Sequence, residues 1–165
     1  MKSMVKRKVE ISITAHVEMI QQLVLDTYEI QKDRRSRGNI DPIGLGNMLY
    51  YRMIRQTGHT AALKKILSYD FQTENNLNIM GVFHSVRERD YFFHSRAGAD
   101  VPPPDVDKKR HTTTTSHYMD TDIDKADIIV FSDTLHDLKR LAAAHKMLQD
   151  GRFAFTNLTL VVFLG

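Results

Sequence analysis

The segment Leu158–Leu164, LTLVVFL, narrows more than any other what this chain can become. It falls far short of the ~20 residues that a membrane-spanning helix needs. Yet the unbroken apolar run from Leu160 to Leu164 leaves no wet face for an alternating strand. Such a strand needs cover on both faces or a partner along its edge, because bare it would aggregate. Ala126–Ser132, ADIIVFS, reads as a second buried strand. Between the two, Leu135, Leu138, Leu141, Ala142 and Leu148 form the inward face of a helix, capped by Asp133 or Thr134 and ended by Gly151.

Upstream, Val9, Ile11, Ile13 and Ala15 alternate with polar residues, the period of a half-buried strand. Ile20, Leu23, Val24, Thr27 and Tyr28 then follow helical spacing, and this helix frays through a polar run and stops by Gly38. Asp41-Pro42 predicts another helix start, with Leu45, Leu49 and Met53 buried and Gly58 as the break. Thr60 caps a further short helix that buries Leu63, Ile66 and Leu67. Asn78–Val86 and Tyr91–Arg96 read as a hairpin around the polar turn Arg87-Glu88-Arg89-Asp90. Its aromatics fall on both faces, which calls for covering layers on both sides or for an interface.

Residues 97–126 carry Pro102-Pro103-Pro104, Lys108-Lys109-Arg110 and Thr112–Thr115 without hydrophobic periodicity. They predict an extended arm. With the two middle helices set aside, the order is strand, helix, hairpin, strand, helix, strand. That order predicts one α+β domain over 1–165, a mostly antiparallel sheet with helices on one face, close to a split β-α-β arrangement.

The length suits one domain, and 42% hydrophobic with 26% charged residues suits a packed one. The chain has no cysteine, which removes disulfides, thiolate nucleophiles and cysteine-ligated zinc. The opening MKSMVKRKVE lacks the apolar stretch of a secretory leader, so a cytoplasmic location is expected. The net charge of +3 is uneven: residues 1–70 carry 12 basic and 7 acidic groups, residues 71–165 carry 11 and 13. Such a field attracts polyanions to one end or orients subunits head to tail.

Three functions fit these features. The first is a non-catalytic subunit of a larger, virion-like or other assembly, self-associating through Phe83, Phe92, Pro102, Pro103, Pro104, Val161 and Phe163. The second is a nucleic-acid-binding module using Lys6, Arg7, Lys8, Lys32, Arg34, Arg35, Arg37, Lys108, Lys109 and Arg110. The third is a small metal-dependent phosphoesterase, since His111 and His117 precede Asp120, Asp122 and Asp124. That acidic run lacks the glycine and distal glutamate of a calcium loop, and His111-Thr112-Thr113 has no second copy to form a paired phosphoesterase site. His84 and His94 fall on opposite faces of the expected hairpin. Ser132-Asp133-Thr134 stands at a strand end, where a ligand crevice often forms and backbone N–H groups can hold an anion, but Asp133 would repel a phosphate and helix capping explains the residues. No glycine-rich phosphate loop or nucleophile elbow is present, so no catalytic residue, metal or cofactor is assigned.

Overall fold

The computed structural model describes residues 13–39, 43–44, 46–52, 58–94, 105–153 and 156–165. Its centre is a five-stranded sheet made of β1 (Met48–Tyr51), β2 (Ile79–Phe83), β3 (Thr112–Thr114), β4 (Ile128–Phe131) and β5 (Leu160–Leu164). The spatial order is β1-β5-β4-β2-β3, and each of the four pairings is parallel. The helices are α1 (Ile13–Ser36), α2 (His59–Ile66), α3 (Tyr69–Glu74), α4 (Val86–His94), α5 (Lys108–His111) and α6 (Leu138–Leu148).

The expected antiparallel sheet is therefore corrected to a parallel one, with helices on both faces rather than one. Every residue of β2, β4 and β5 is buried, the pattern of strands covered from both sides. Along β5, Leu160, Val162 and Leu164 join a core with Val17, Ile20 and Val24 of α1 and Leu63 and Ile66 of α2. Val161 and Phe163 point the other way, toward Ala144, Met147 and Leu148 of α6. The strand also has β1 on one edge and β4 on the other. Its apolar run needs nothing from outside the chain.

The expected hairpin is the second correction. Its first half is β2, but its second half is helix α4. Ser85 Oγ accepts the Glu88 N–H at 3.1 Å, which opens a helix where a turn was expected. Phe92 then packs on Phe83 with ring centroids 5.1 Å apart, inside the α1 side of the core. The expected amino-terminal strand is likewise displaced: Val9 and Ile11 lie outside the described residues, and α1 already spans Ile13–Ala15. Its buried stripe is Val17, Ile20, Val24 and Tyr28, and it runs on through the polar segment to Ser36. Where Leu49 was to face inward from a helix, β1 runs instead; Asp41, Pro42, Leu45 and Met53 lie outside the described residues.

Of the expected arm, residues 105–126 hold α5, β3 and two short 3-10 turns at Tyr118–Asp120 and Ile123–Lys125. Ile123 is fully buried under the α6 face. Helix α6 starts later than expected, capped by Asp137, whose carboxylate accepts the Lys139 N–H at 2.8 Å. Leu138 consequently points outward, 83% exposed. Gly81 lets α2 approach the sheet: a Cβ there would stand 2.6 Å from the buried Leu67 Cδ1. Among the described residues no helix is long and apolar enough to cross a membrane.

Candidate functional site

Parallel pairing brings the carboxyl ends of β2, β4 and β5 to one side of the sheet. From β2 the chain turns into α4, which packs on the α1 face through Phe92. From β4 it turns into α6, which packs on the opposite face through Ala144 and Met147. Adjacent strands whose helices leave to opposite faces part their following loops, and open parallel sheets bind ligands at that gap. Here the gap is a crevice of about 700 Å³. Leu63, Phe83, Phe92 and Leu164 give it an apolar wall, while Ser85, Glu88, Ser132, Asp133, His59 and His136 supply polar groups.

Arg140, from the first turn of α6, ties the two lips together. Its guanidinium donates to the carbonyl and to a carboxylate oxygen of Asp133, both at 3.1 Å, and pairs with the Glu88 carboxylate across the crevice. Asp133 takes a left-handed backbone, φ 47°, so that its carbonyl and side chain reach the same guanidinium. A second tie joins His84 Nε2 and Thr134 Oγ1 at 2.8 Å. The fully buried Thr134 hydroxyl gives its proton to the Ser132 carbonyl at 3.1 Å, which leaves His84 Nε2 as the donor. Burial, and then the neighbouring Arg140 charge, hold the His84 pKa below its ordinary value. His84 thus links the ends of β2 and β4 through its hydrogen bond to Thr134.

His59 is the first residue of α2, set by Gly58 at φ 96°, a left-handed conformation that favours glycine. Its ring stands 6.1 Å from that of His16, edge-on, and 6.1 Å from that of Tyr51. His16 Nε2 and the Tyr51 hydroxyl hydrogen-bond each other at 2.7 Å. His59 Nε2 is buried and has no hydrogen-bond partner among the described residues. Burial lowers its pKa, and the nearby His16 and His136 push the same way against Asp133.

Of the described residues assigned to a function from the sequence, Phe83 and Phe92 line this crevice and the others lie away from it. Lys6, Arg7, Lys8, Pro102, Pro103 and Pro104 lie outside the described residues. Arg34, Arg35 and Arg37 are on or just past the end of α1; Arg35 donates to the Thr156 carbonyl at 2.7 Å and that of Leu158 at 2.9 Å, holding the entry to β5. Arg37 pairs with Asp33 at 3.0 Å, and the Lys32 ammonium lies 5.8 Å from the Tyr28 ring centre. Lys108 pairs with Asp90 at 2.6 Å; Lys109 and Arg110 are exposed on α5, beside β2 and β3. Phe83, Phe92, Val161 and Phe163 are buried within this one chain.

Strand β3 separates His111, before it, from His117, after it. His111 is buried and its Nδ1 donates to the Ile79 carbonyl at 3.2 Å, while His117 is exposed beside Thr114 and Ser116. Asp122 pairs with Lys125. Among the described residues no three His, Cys, Asp or Glu side chains gather as a metal site. A second cavity, of about 470 Å³, lies by the entry to β5, and its polar wall is largely engaged: Arg35 as above, and Asn47 accepting the Gly44 N–H at 2.9 Å.

No family model, curated protein or solved structure matches this chain. The residues that reading the sequence missed are His59, Ser85, Glu88 and Arg140. Ser85-Val86-Arg87-Glu88 did carry a signal, the S-x-x-E spacing of a helix start. His59 and Arg140 carried none, because their partners lie far away in sequence.

Proposed function

We propose that this chain binds a nucleoside-class small molecule in the crevice at the carboxyl ends of β2, β4 and β5. The observation that carries the reading is the crevice's placement, between adjacent parallel strands whose helices leave to opposite faces. Its volume, about 700 Å³, falls in the range of small-molecule sites. The lining suits a flat ring joined to a polyhydroxylated group. The exposed Tyr91 offers an aromatic surface for the ring above the buried Leu63, Phe83 and Phe92, while Ser132, Asp133 and Ser85 offer partners for hydroxyls. The ionic groups balance locally, because Arg140 faces Glu88 and Asp133, which supports a ligand of low net charge. This reading is preferred to self-assembly because the apolar strands that suggested a partner are covered within one chain.

The test is calorimetric titration of the full chain with adenosine, guanosine, cytidine and uridine. Saturable one-to-one binding is expected with at least one of them. It should be lost when the exposed rim residue Thr60 is changed to tryptophan, and when the half-buried Ser132 is changed to phenylalanine, with circular dichroism confirming that both fold. Absence of binding by all four at millimolar concentration would overturn the reading, as would binding that survives both obstructing variants.

A further inference from the structure

We propose that Asp133 makes this crevice select a ribose, its free carboxylate oxygen Oδ1 accepting the 2′-hydroxyl of the bound nucleoside. The inference rests on the crevice reading and adds to it the sugar that the site takes. Asp133 lines the crevice and its side chain is 61% exposed, so a ligand reaches the carboxylate directly. Arg140 engages Oδ2 at 3.1 Å, while Oδ1 has no hydrogen bond among the described residues. An ionised carboxylate only accepts hydrogen bonds, and the sugar hydroxyls of a nucleoside are donors that match it. A base amino group is the other donor, but the aromatic surface for the ring is Tyr91 on α4, across the crevice from Asp133.

The loop around Asp133 is fixed before any ligand arrives. Ser132 donates its N–H to the Val82 carbonyl of β2 at 3.0 Å, and Thr134 donates its own to the Leu164 carbonyl of β5 at 3.2 Å. The chain is thus pinned to the strands on both sides of β4. Between the two pins Asp133 takes φ 47°, which costs a non-glycine residue free energy and persists only where surrounding contacts over-determine it. Arg140 supplies those contacts, donating to the Asp133 carbonyl and to Oδ2 while it pairs with Glu88 on the other lip. Arg140 is therefore a positioning residue: it touches Asp133 and leaves Oδ1 for the ligand. An acceptor held in place in advance loses less freedom on binding, which favours affinity.

The experiment titrates the full chain calorimetrically with the four ribonucleosides and with their 2′-deoxy counterparts. Removing the 2′-hydroxyl is expected to weaken binding about tenfold, a modest factor because the carboxylate it leaves behind returns to water. Asp133→Gly removes the acceptor at a backbone angle that suits glycine, so it should fold, as circular dichroism would check, and the two sugars should then bind within about twofold of each other. Arg140→Met should narrow the gap although Asp133 is intact; a full gap in that variant would overturn the positioning role of Arg140. In parallel, the Asp133 side-chain carboxyl carbon resonance, assigned by its loss in Asp133→Gly, should move on saturation with ribonucleoside. Equal or tighter binding of the 2′-deoxy forms, a gap that persists in Asp133→Gly, or an unmoved resonance would overturn the role of Asp133 while leaving the crevice as the site. Failure of every nucleoside of either sugar to bind the unmodified chain would overturn both.

Discussion

Phe163 is fully buried in β5, and its ring is stacked between Phe131 at 5.1 Å and Tyr50 at 4.8 Å, with planes 8° and 5° from parallel. His145 of α6 stands at 5.4 Å. Phe163→Ala removes that ring and leaves a void between sheet and helix. Fully buried phenylalanine-to-alanine changes cost about 3–5 kcal/mol. Tyr50 is 49% exposed and can relax or admit water on its side, so the lower part of that range, about 3–4 kcal/mol, is expected. For a chain of this length the melting temperature should fall by about 10 °C.

The assay is urea denaturation followed by far-ultraviolet circular dichroism, since the chain has no tryptophan. Leu138→Ala is the internal control: 83% exposed, it should change stability by no more than about 0.5 kcal/mol. A loss below about 1 kcal/mol for Phe163→Ala would refute the packing argument. So would dissociation of an oligomer without loss of stability in its subunits, because the ring would then be facing a partner.

Arg140→Met should destabilise by about 1 kcal/mol at low salt and by less at high salt, because the Glu88 and Asp133 pairs are partly open to water; a loss that ignores salt would show that packing of the side-chain stem, not charge, is what Arg140 contributes. Burial lowers the pKa of His59, His84 and His111 below the ordinary histidine value of 6.5. The unfolded chain therefore takes up protons first as acid is added, so stability is fully present above pH 6.5 and falls as the pH drops toward 5. A urea midpoint that rises over that interval would contradict it.

Burial was legible in the sequence wherever it depends on neighbours along the chain. The run from Leu160 to Leu164 demanded cover on both faces or a partner along its edge, and the structure supplies both within the chain, with α1 and α6 on its faces and β1 and β4 along its edges. Ile20, Val24 and Tyr28, and Leu63 and Ile66, are buried on the helices where their spacing put them. Strand direction was not legible, because an apolar run looks alike in either sense and only the crossovers through α4 and α6 decide it. Residues 86–94 were misread for a related reason. Tyr91, Phe92 and Phe93 favour a strand locally, and the Ser85 cap together with Phe92 packing on Phe83 overrides that preference.

The crevice belongs wholly to the tertiary structure. His59 opens α2, Ser85 and Ser132 follow β2 and β4, and Arg140 reaches Glu88 across 52 positions. Local pattern can report which side chains leave water. Which polar groups face one another across a cavity follows only once parallel strands have brought their carboxyl ends to one side.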